Sequence, residues 1–188
     1  MLAVFDVDGV VADVRHRLHH LERRRSWSGF FGAAHADSLL PEGAALAAEL
    51  ARTHEIVWLT GRPEWLRTTT AHWLAEHGLP GAEIHLRPNG DYRPAPQFKL
   101  DVLRRLAPRG IAAVVDDDDE VIQAAMAAGY PAVIADWLPR SATMRQAQDR
   151  DGRVHANSLK QTRRRCAAPG GGPPRPWPSA PIARFRRR

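Results

Sequence analysis

Two carboxylates separated by one residue close the first apolar run of the chain, where MLAVFDVDGV ends in Asp6 and Asp8 followed by Gly9. Side chains alternate along a strand, so Asp6 and Asp8 are expected on one face and Val7 on the other. The glycine lets the chain turn sharply and bring backbone N–H groups close to whatever the carboxylates hold. Paired acids at the end of a buried strand are costly unless they bind a cation or do chemistry. Asp-x-Asp-Gly alone fits a solvated turn as well as such a site, and residues further along weigh in. Thr60, Gly61 and Arg62 end a second apolar run (LTGR) and offer a hydroxyl, an N–H and a guanidinium, the makings of an anion cradle. By itself LTGR equally suits a threonine that caps a helix. VVDDDDE puts Asp116 and Asp117 at the tip of a later run, while Asp118, Asp119 and Glu120 read as a solvated loop or an acidic helix start. Four carboxylates converging from these tips would repel one another by roughly several kcal/mol without a cation. Oxygen-only ligands point to Mg²⁺, which keeps some waters and suits phosphates. Lys99, one of only two lysines among 27 basic residues, precedes the acidic strand and could offset its charge.

The elements that must position these groups read as an alternation. Apolar runs at Leu2–Val7, Glu55–Thr60, Glu83–Leu86, Ile111–Asp116 and Pro131–Ala135 have strand character. Helical spacing fills Gly43–Thr53, Pro63–His77, Gln97–Leu106 and Glu120–Ala128, with proline near starts and glycine near ends. That order predicts an α/β fold, a Rossmann-like three-layer sandwich with a five-stranded, mainly parallel sheet. Residues 14–40 interrupt it with a polar, then aromatic stretch, expected to hang over the site as a flap or minimal cap. We expect one domain over 1–142 and a disordered tail over 143–188, rich in Pro, Gly and Arg.

The net charge of +6 is unevenly spread: from Met144 onward there are 12 Lys+Arg against 2 Asp+Glu, leaving 15 against 19 before it. A basic tail of this kind suits salt-dependent, sequence-independent contact with nucleic acid or simple solvation. The lone Cys166 excludes an intrachain disulfide and fits a reducing, cytoplasmic setting. No run of about 18 apolar residues is present, so no membrane span is expected. The start carries acids too early for a secretion signal.

Asp-x-Asp-Gly on strand one, Thr-Gly-Arg on strand two, an isolated lysine and paired acids on strand four make a specific series. With these motifs the chain resembles the haloacid dehalogenase (HAD) superfamily over about Leu2 to Trp137. The resemblance implies that Asp6 is the nucleophile and Asp8 the general acid and base. It also implies that Thr60 and Lys99 bind phosphate, and that Asp116 and Asp117, with Asp6 and the Asp8 carbonyl, hold Mg²⁺. Within the superfamily the chain resembles the 3′-phosphatase domain of phage-type polynucleotide kinase. The shared features are DVDG followed by Arg17, Gly-Arg after strand two, GDYRPAPQFK, and a DD strand end. That likeness implies Arg17 (or Arg15) and Arg62 as phosphate contacts, with Arg93 near the entrance. Val10 stands where the first motif usually has threonine, and no G-x-x-x-x-G-K-[ST] loop of a kinase half is present.

The expected activity is therefore Mg²⁺-dependent hydrolysis of a phosphomonoester, favouring polynucleotide 3′-phosphates or nucleotides. The alternatives are a phosphatase of small metabolites and a non-catalytic nucleic-acid-binding module. Three further features read as structure rather than chemistry. His16, His19 and His20 have zinc-like spacing but sit among arginines. Trp27, Phe30 and Phe31 suit anchoring of the flap better than base stacking. Trp58, Trp65 and Trp73 read as core packing.

Overall fold

The computed structural model describes residues 1–22 and 26–149. Cys166 and all but the first few residues of the expected tail lie outside the described residues. Strand β1 (Leu2–Phe5) is apolar throughout and buried on both faces, as the centre of a parallel sheet requires. It pairs with β4 (Glu55–Pro63) on one side and β6 (Ile111–Asp116) on the other. β5 (Glu83–Arg87) and β7 (Ala132–Ile134) complete the parallel order β5-β4-β1-β6-β7. The chain fills one side of β1 before crossing to the other, so the switch point where open α/β sheets bind ligands lies at the carboxyl ends of β1 and β6.

Period-2 alternation builds the two apolar layers. Ala3, Phe5, Ile56, Trp58 and Val115 pack with Ala47 of α3 (Pro41–Leu50) and Trp73 and Leu74 of α4 (Arg67–Glu76). Leu2, Val4, Val57, Leu59 and Val114 pack with Phe98, Val102, Leu103 and Leu106 of α5 (Ala95–Leu106) and Ala125 of α6 (Asp119–Ala127). This is the expected three-layer α/β sandwich.

Element boundaries differ from expectation where the site is built. β1 stops at Phe5 because the next residues curl back: the amides of Val10, Val11 and Ala12 all donate to the Val7 carbonyl, at 3.3, 3.0 and 2.9 Å. β4 runs on through Gly61 and Arg62 to Pro63, with a register shift against β5 after Thr60. The helix expected from Pro63 starts instead as a 3₁₀ turn, Glu64–Leu66.

The described residues of the flap over 14–40 are folded. Its ends meet in a two-stranded antiparallel pair, β2 (Ala12–Asp13) with β3 (Ser38–Leu39). Between them lie a 3₁₀ turn at Arg15–Arg17, short helices α1 (His19–Glu22) and α2 (Trp27–Gly32), and a second 3₁₀ turn at Ala33–Ala36. Order also continues past the boundary expected at 142, since residues 142–149 form a further helix, α7. Its Met144 and Ala147 join Val14, Leu21 and Phe30 in a small core of the flap, with Leu18, Trp27 and Phe31 packed at its edge. Two buried positions in an otherwise polar eight-residue segment are too few to register as periodicity. Among the described residues no helix is long and apolar enough to cross a membrane.

Candidate active site

Lys99 is the hinge of the charge arrangement. Its ammonium, nearly fully buried in the second turn of α5, donates to Asp6 Oδ2 at 2.7 Å and to Asp116 Oδ2 at 2.6 Å. Burial alone would lower the Lys99 pKa, but the carboxylates of Asp116 and Asp6 outweigh it and the net direction is upward. Asp6 also accepts the Val7 N–H on Oδ1 at 2.7 Å. Asp6, Asp116 and Asp117 can each bring one oxygen within 4.8 Å of the others. One ammonium does not balance three carboxylates. Burial first, with Asp6 adding and Lys99 opposing, pushes Asp116 up to about 7. Burial, Asp116 and Asp6 push Asp117 well above the usual carboxylate range. A compact group of hard, under-compensated oxygen donors fits Mg²⁺.

Gly9 is what lets Asp117 into this group. Its φ of +79° belongs to the left-handed region, and a Cβ there would sit 2.5 Å from Asp117 Oδ2. Asp118 takes the part read for it: its side chain caps α6 by accepting the Glu120 N–H at 2.9 Å.

Asp8 does not share the surroundings of Asp6, as strand alternation would require, because β1 has already ended. Its Oδ1 accepts Arg17 Nη2 and Arg62 Nε, both at 2.8 Å. Both guanidiniums are fully buried and both also donate to Asp37. Arg62 further approaches Thr70 Oγ1 at 3.4 Å, and Arg17 lies 4.1 Å over the Phe30 ring. Burial works to raise the Asp8 pKa, but Arg17 and Arg62 more than reverse it and hold Asp8 below its ordinary value. Arg17 and Arg62, expected as phosphate contacts, are therefore placed as partners of carboxylates. Of the two flap candidates Arg17 reaches the site, whereas Arg15 is exposed and pairs with Asp13 at 2.9 Å.

Asp37 was missed by sequence reasoning. The available signal was an acid, one of two with Glu22, in a flap carrying five arginines. Its side chain is fully buried, and His16 Nε2 also reaches it at 2.8 Å. Of the histidine trio, His16 faces Asp37 and His19 Nδ1 bonds the His16 carbonyl at 3.0 Å. Arg140 is a second omission, with Nη1 2.6 Å from Asp118 Oδ1 and Nε 3.9 Å from Asp117 Oδ2. Thr60 is buried at the rim, its hydroxyl accepting the Arg62 N–H at 3.3 Å, and Gly61 beside it has open space where a Cβ would be. Arg93 ties Asp91 to Asp101 at 2.7 and 2.6 Å, joining the loop after β5 to α5. Trp65, expected in the core, is 54 % exposed.

The arrangement offers a buried carboxylate beside the Lys99 ammonium and a metal-type acid cluster, with a second carboxylate held apart by guanidiniums. Comparison with known proteins assigns it a lineage. In sequence, no curated protein is found to match. Among solved structures the fold is similar to a chain of the Pnkp1/Rnl/Hen1 RNA repair complex, with a TM-score of 0.59 and 19 % identity over 71 % of this chain and 42 % of that one. It is also similar to the class C acid phosphatase from Bacillus anthracis with tungstate bound, with a TM-score of 0.57 and 15 % identity over 90 % of this chain and 81 % of that one. The chain spans less than half the length of the repair-complex chains it resembles. The profile of the polynucleotide kinase PNKP phosphatase domain matches residues 1–134 and so takes in every strand of the parallel sheet. With Asp6, Lys99, Asp116 and Asp117 gathered at the end of that sheet, the chain belongs to the HAD-type family of polynucleotide kinase PNKP phosphatase domains.

Proposed function

We propose that this chain is a Mg²⁺-dependent phosphomonoester hydrolase acting through an aspartyl-phosphate on Asp6, with the 3′-phosphate of a polynucleotide as substrate. The observation that carries this reading is the separation of the two motif carboxylates, Asp6 against Lys99 and Asp8 against Arg17 and Arg62. Asp6, Asp116 and Asp117, with the Asp8 carbonyl, would hold Mg²⁺, whose charge offsets repulsion between the Asp6 carboxylate and a phosphate. Lys99 fixes Asp6 in place and, with Thr60 and the Gly61 amide, meets the non-bridging phosphate oxygens.

Asp6 attacks phosphorus, the ester P–O bond breaks, and the departing oxygen takes a proton from Asp8. Water then attacks the acyl phosphate, Asp8 takes the water proton, and inorganic phosphate leaves with Asp6 restored. Arg17 and Arg62 position Asp8 by gripping Oδ1, so Oδ2, which neither guanidinium engages, handles the proton. They also keep Asp8 ionised in the free protein, so the first proton arrives with a monoprotonated phosphoester. The PNKP-domain family supports a polynucleotide end as the substrate, and a small folded flap leaves room for one.

The test is Mg²⁺-dependent phosphate release from a 3′-phosphorylated oligonucleotide beside a nucleoside monophosphate, with Asp6→Asn as control. Preferential release from the oligonucleotide, lost in the variant, is expected. Release mainly from the mononucleotide would move the substrate to nucleotides, and full activity in Asp6→Asn would overturn the mechanism.

A further inference from the structure

The large exposed hydrophobic side chains among the described residues are Met1, Trp65, Tyr92 and Met126, and only Trp65 and Tyr92 are aromatic. They are 54 % and 62 % exposed. Both follow the carboxyl ends of neighbouring strands, Trp65 in the turn leaving β4 and Tyr92 in the loop leaving β5. The two connections are fastened together, since the Trp65 N–H donates to Asn89 Oδ1 at 3.2 Å.

The β5 loop is held in shape rather than loosely draped. Asp91 N–H closes a turn on the Pro88 carbonyl at 3.0 Å, and Asp91 Oδ1 accepts the Arg93 N–H at 3.0 Å. Arg93 clamps Asp91 and, through Asp101, α5, while Arg87 Nη1 donates to the Arg93 carbonyl at 2.6 Å. Tyr92 is thus presented outward by a braced loop, between Asp91 and Arg93 in the chain.

This surface adjoins the reacting centre. Thr60 pairs with Leu86 and lies five residues before Trp65, and Arg87 follows Leu86 at the carboxyl end of β5. Exposed aromatic rings with arginines nearby are what a single nucleic-acid strand uses, because every base offers a π face whatever its identity. A small phosphoester seated at Asp6 has nothing to lay across them.

We propose that Trp65 and Tyr92 form a stacking platform for the bases at the 3′ end of a single-stranded polynucleotide whose terminal phosphate enters the Asp6 site. The inference rests on the polynucleotide reading above and adds the path of the strand, across the tips of β4 and β5. It makes the enzyme selective for ends with unpaired bases and indifferent to their sequence.

The experiment compares the full-length chain with Trp65→Ala, Tyr92→Ala and Trp65→Phe on a single-stranded 3′-phosphorylated oligothymidylate and on p-nitrophenyl phosphate. Stacking of about 1–3 kcal/mol per base converts to a rise of roughly 5- to 150-fold in the oligonucleotide KM relative to that for p-nitrophenyl phosphate. Trp65→Phe should restore most of the difference, because it keeps an aromatic face. Binding of the 3′-hydroxyl oligothymidylate should quench tryptophan fluorescence in the parent and less so in Trp65→Phe. Active alanine variants whose KM ratio is unchanged overturn the platform and leave the polynucleotide reading standing. A parent that hydrolyses p-nitrophenyl phosphate but not the oligonucleotide overturns the substrate reading, and the platform with it.

Discussion

Arg17 and Asp37 form a two-pronged ion pair inside the protein, with Nε to Oδ1 at 2.7 Å, Nη2 to Oδ2 at 2.8 Å, and both side chains fully buried. Asp37 also takes Arg62 at 2.7 Å, so one carboxylate from the flap compensates the two guanidiniums that grip Asp8. The flap is thereby wired to Asp8. Removing one partner of a buried ion pair strands the other charge, at about 3–5 kcal/mol.

Asp37→Asn should therefore lower the unfolding free energy by an amount in that range, read by chemical denaturation. If the variant stays folded, its turnover should fall with Asp8 left to balance both guanidiniums alone. A loss below about 0.5 kcal/mol, the size of an ordinary surface change, would mean the network is not held as described.

Gly9 and Gly61 make an opposed pair. At Gly9 an added Cβ meets both a left-handed backbone and Asp117 Oδ2 at 2.5 Å. Gly9→Ala should cost about 1–2 kcal/mol from the backbone alone and displace a metal-type ligand. At Gly61 a Cβ meets nothing within 4 Å. Gly61→Ala should leave the melting temperature almost unchanged, so any rise in its KM reports crowding of the phosphate rather than misfolding. Equal stability losses in the two variants would contradict the geometry.

The contrast between these glycines also marks what could be read in advance. Asp6, Thr60, Asp116 and Asp117 sit at or beside the ends of apolar runs, and a parallel sheet has only one carboxyl edge on which to collect them, while Lys99 reaches Asp6 and Asp116 from α5. Their convergence was legible for that reason. Arg17 and Arg62 were legible as residues but not as contacts, because the carboxylate that claims them, Asp37, comes from a flap with no periodic pattern. Trp65 was misplaced because a 3₁₀ turn replaces the first turn of the expected helix, and three residues per turn puts side chains on a different phase from 3.6. Helix α7 escaped because its buried face amounts to Met144 and Ala147.

Asp117 offers a separate test of the acid cluster. Among its near neighbours Lys99 already answers Asp6 and Asp116, and Arg140 Nε stands 3.9 Å away. Asp117→Asn removes one of three mutually repelling charges while keeping a polar side chain of the same shape. In chelator the variant should melt higher than the parent. With Mg²⁺ added the order should reverse, since the parent gains binding free energy that the variant has lost. A parent whose melting temperature ignores Mg²⁺ would remove the cation from the site.

Helix α7 makes the flap part of the domain. Met144 and Ala147 are buried against Val14, Leu21 and Phe30, and Arg140 joins the start of this segment to the Asp118 cap of α6 and to Gln148. The packed flap in turn presents Arg17, whose ring contact is Phe30 itself. Shortening Met144 to alanine should cost about 2–3 kcal/mol, the low end for such a truncation, because this satellite core can relax toward solvent. Most of that loss should be local. Amide exchange across residues 14–40 should quicken while β1 and β4 stay protected, and phosphate release should fall because Arg17 no longer holds Asp8 steadily. Uniformly faster exchange through the central sheet would instead show that α7 supports the whole domain, and unaltered exchange in the flap would show that it supports neither.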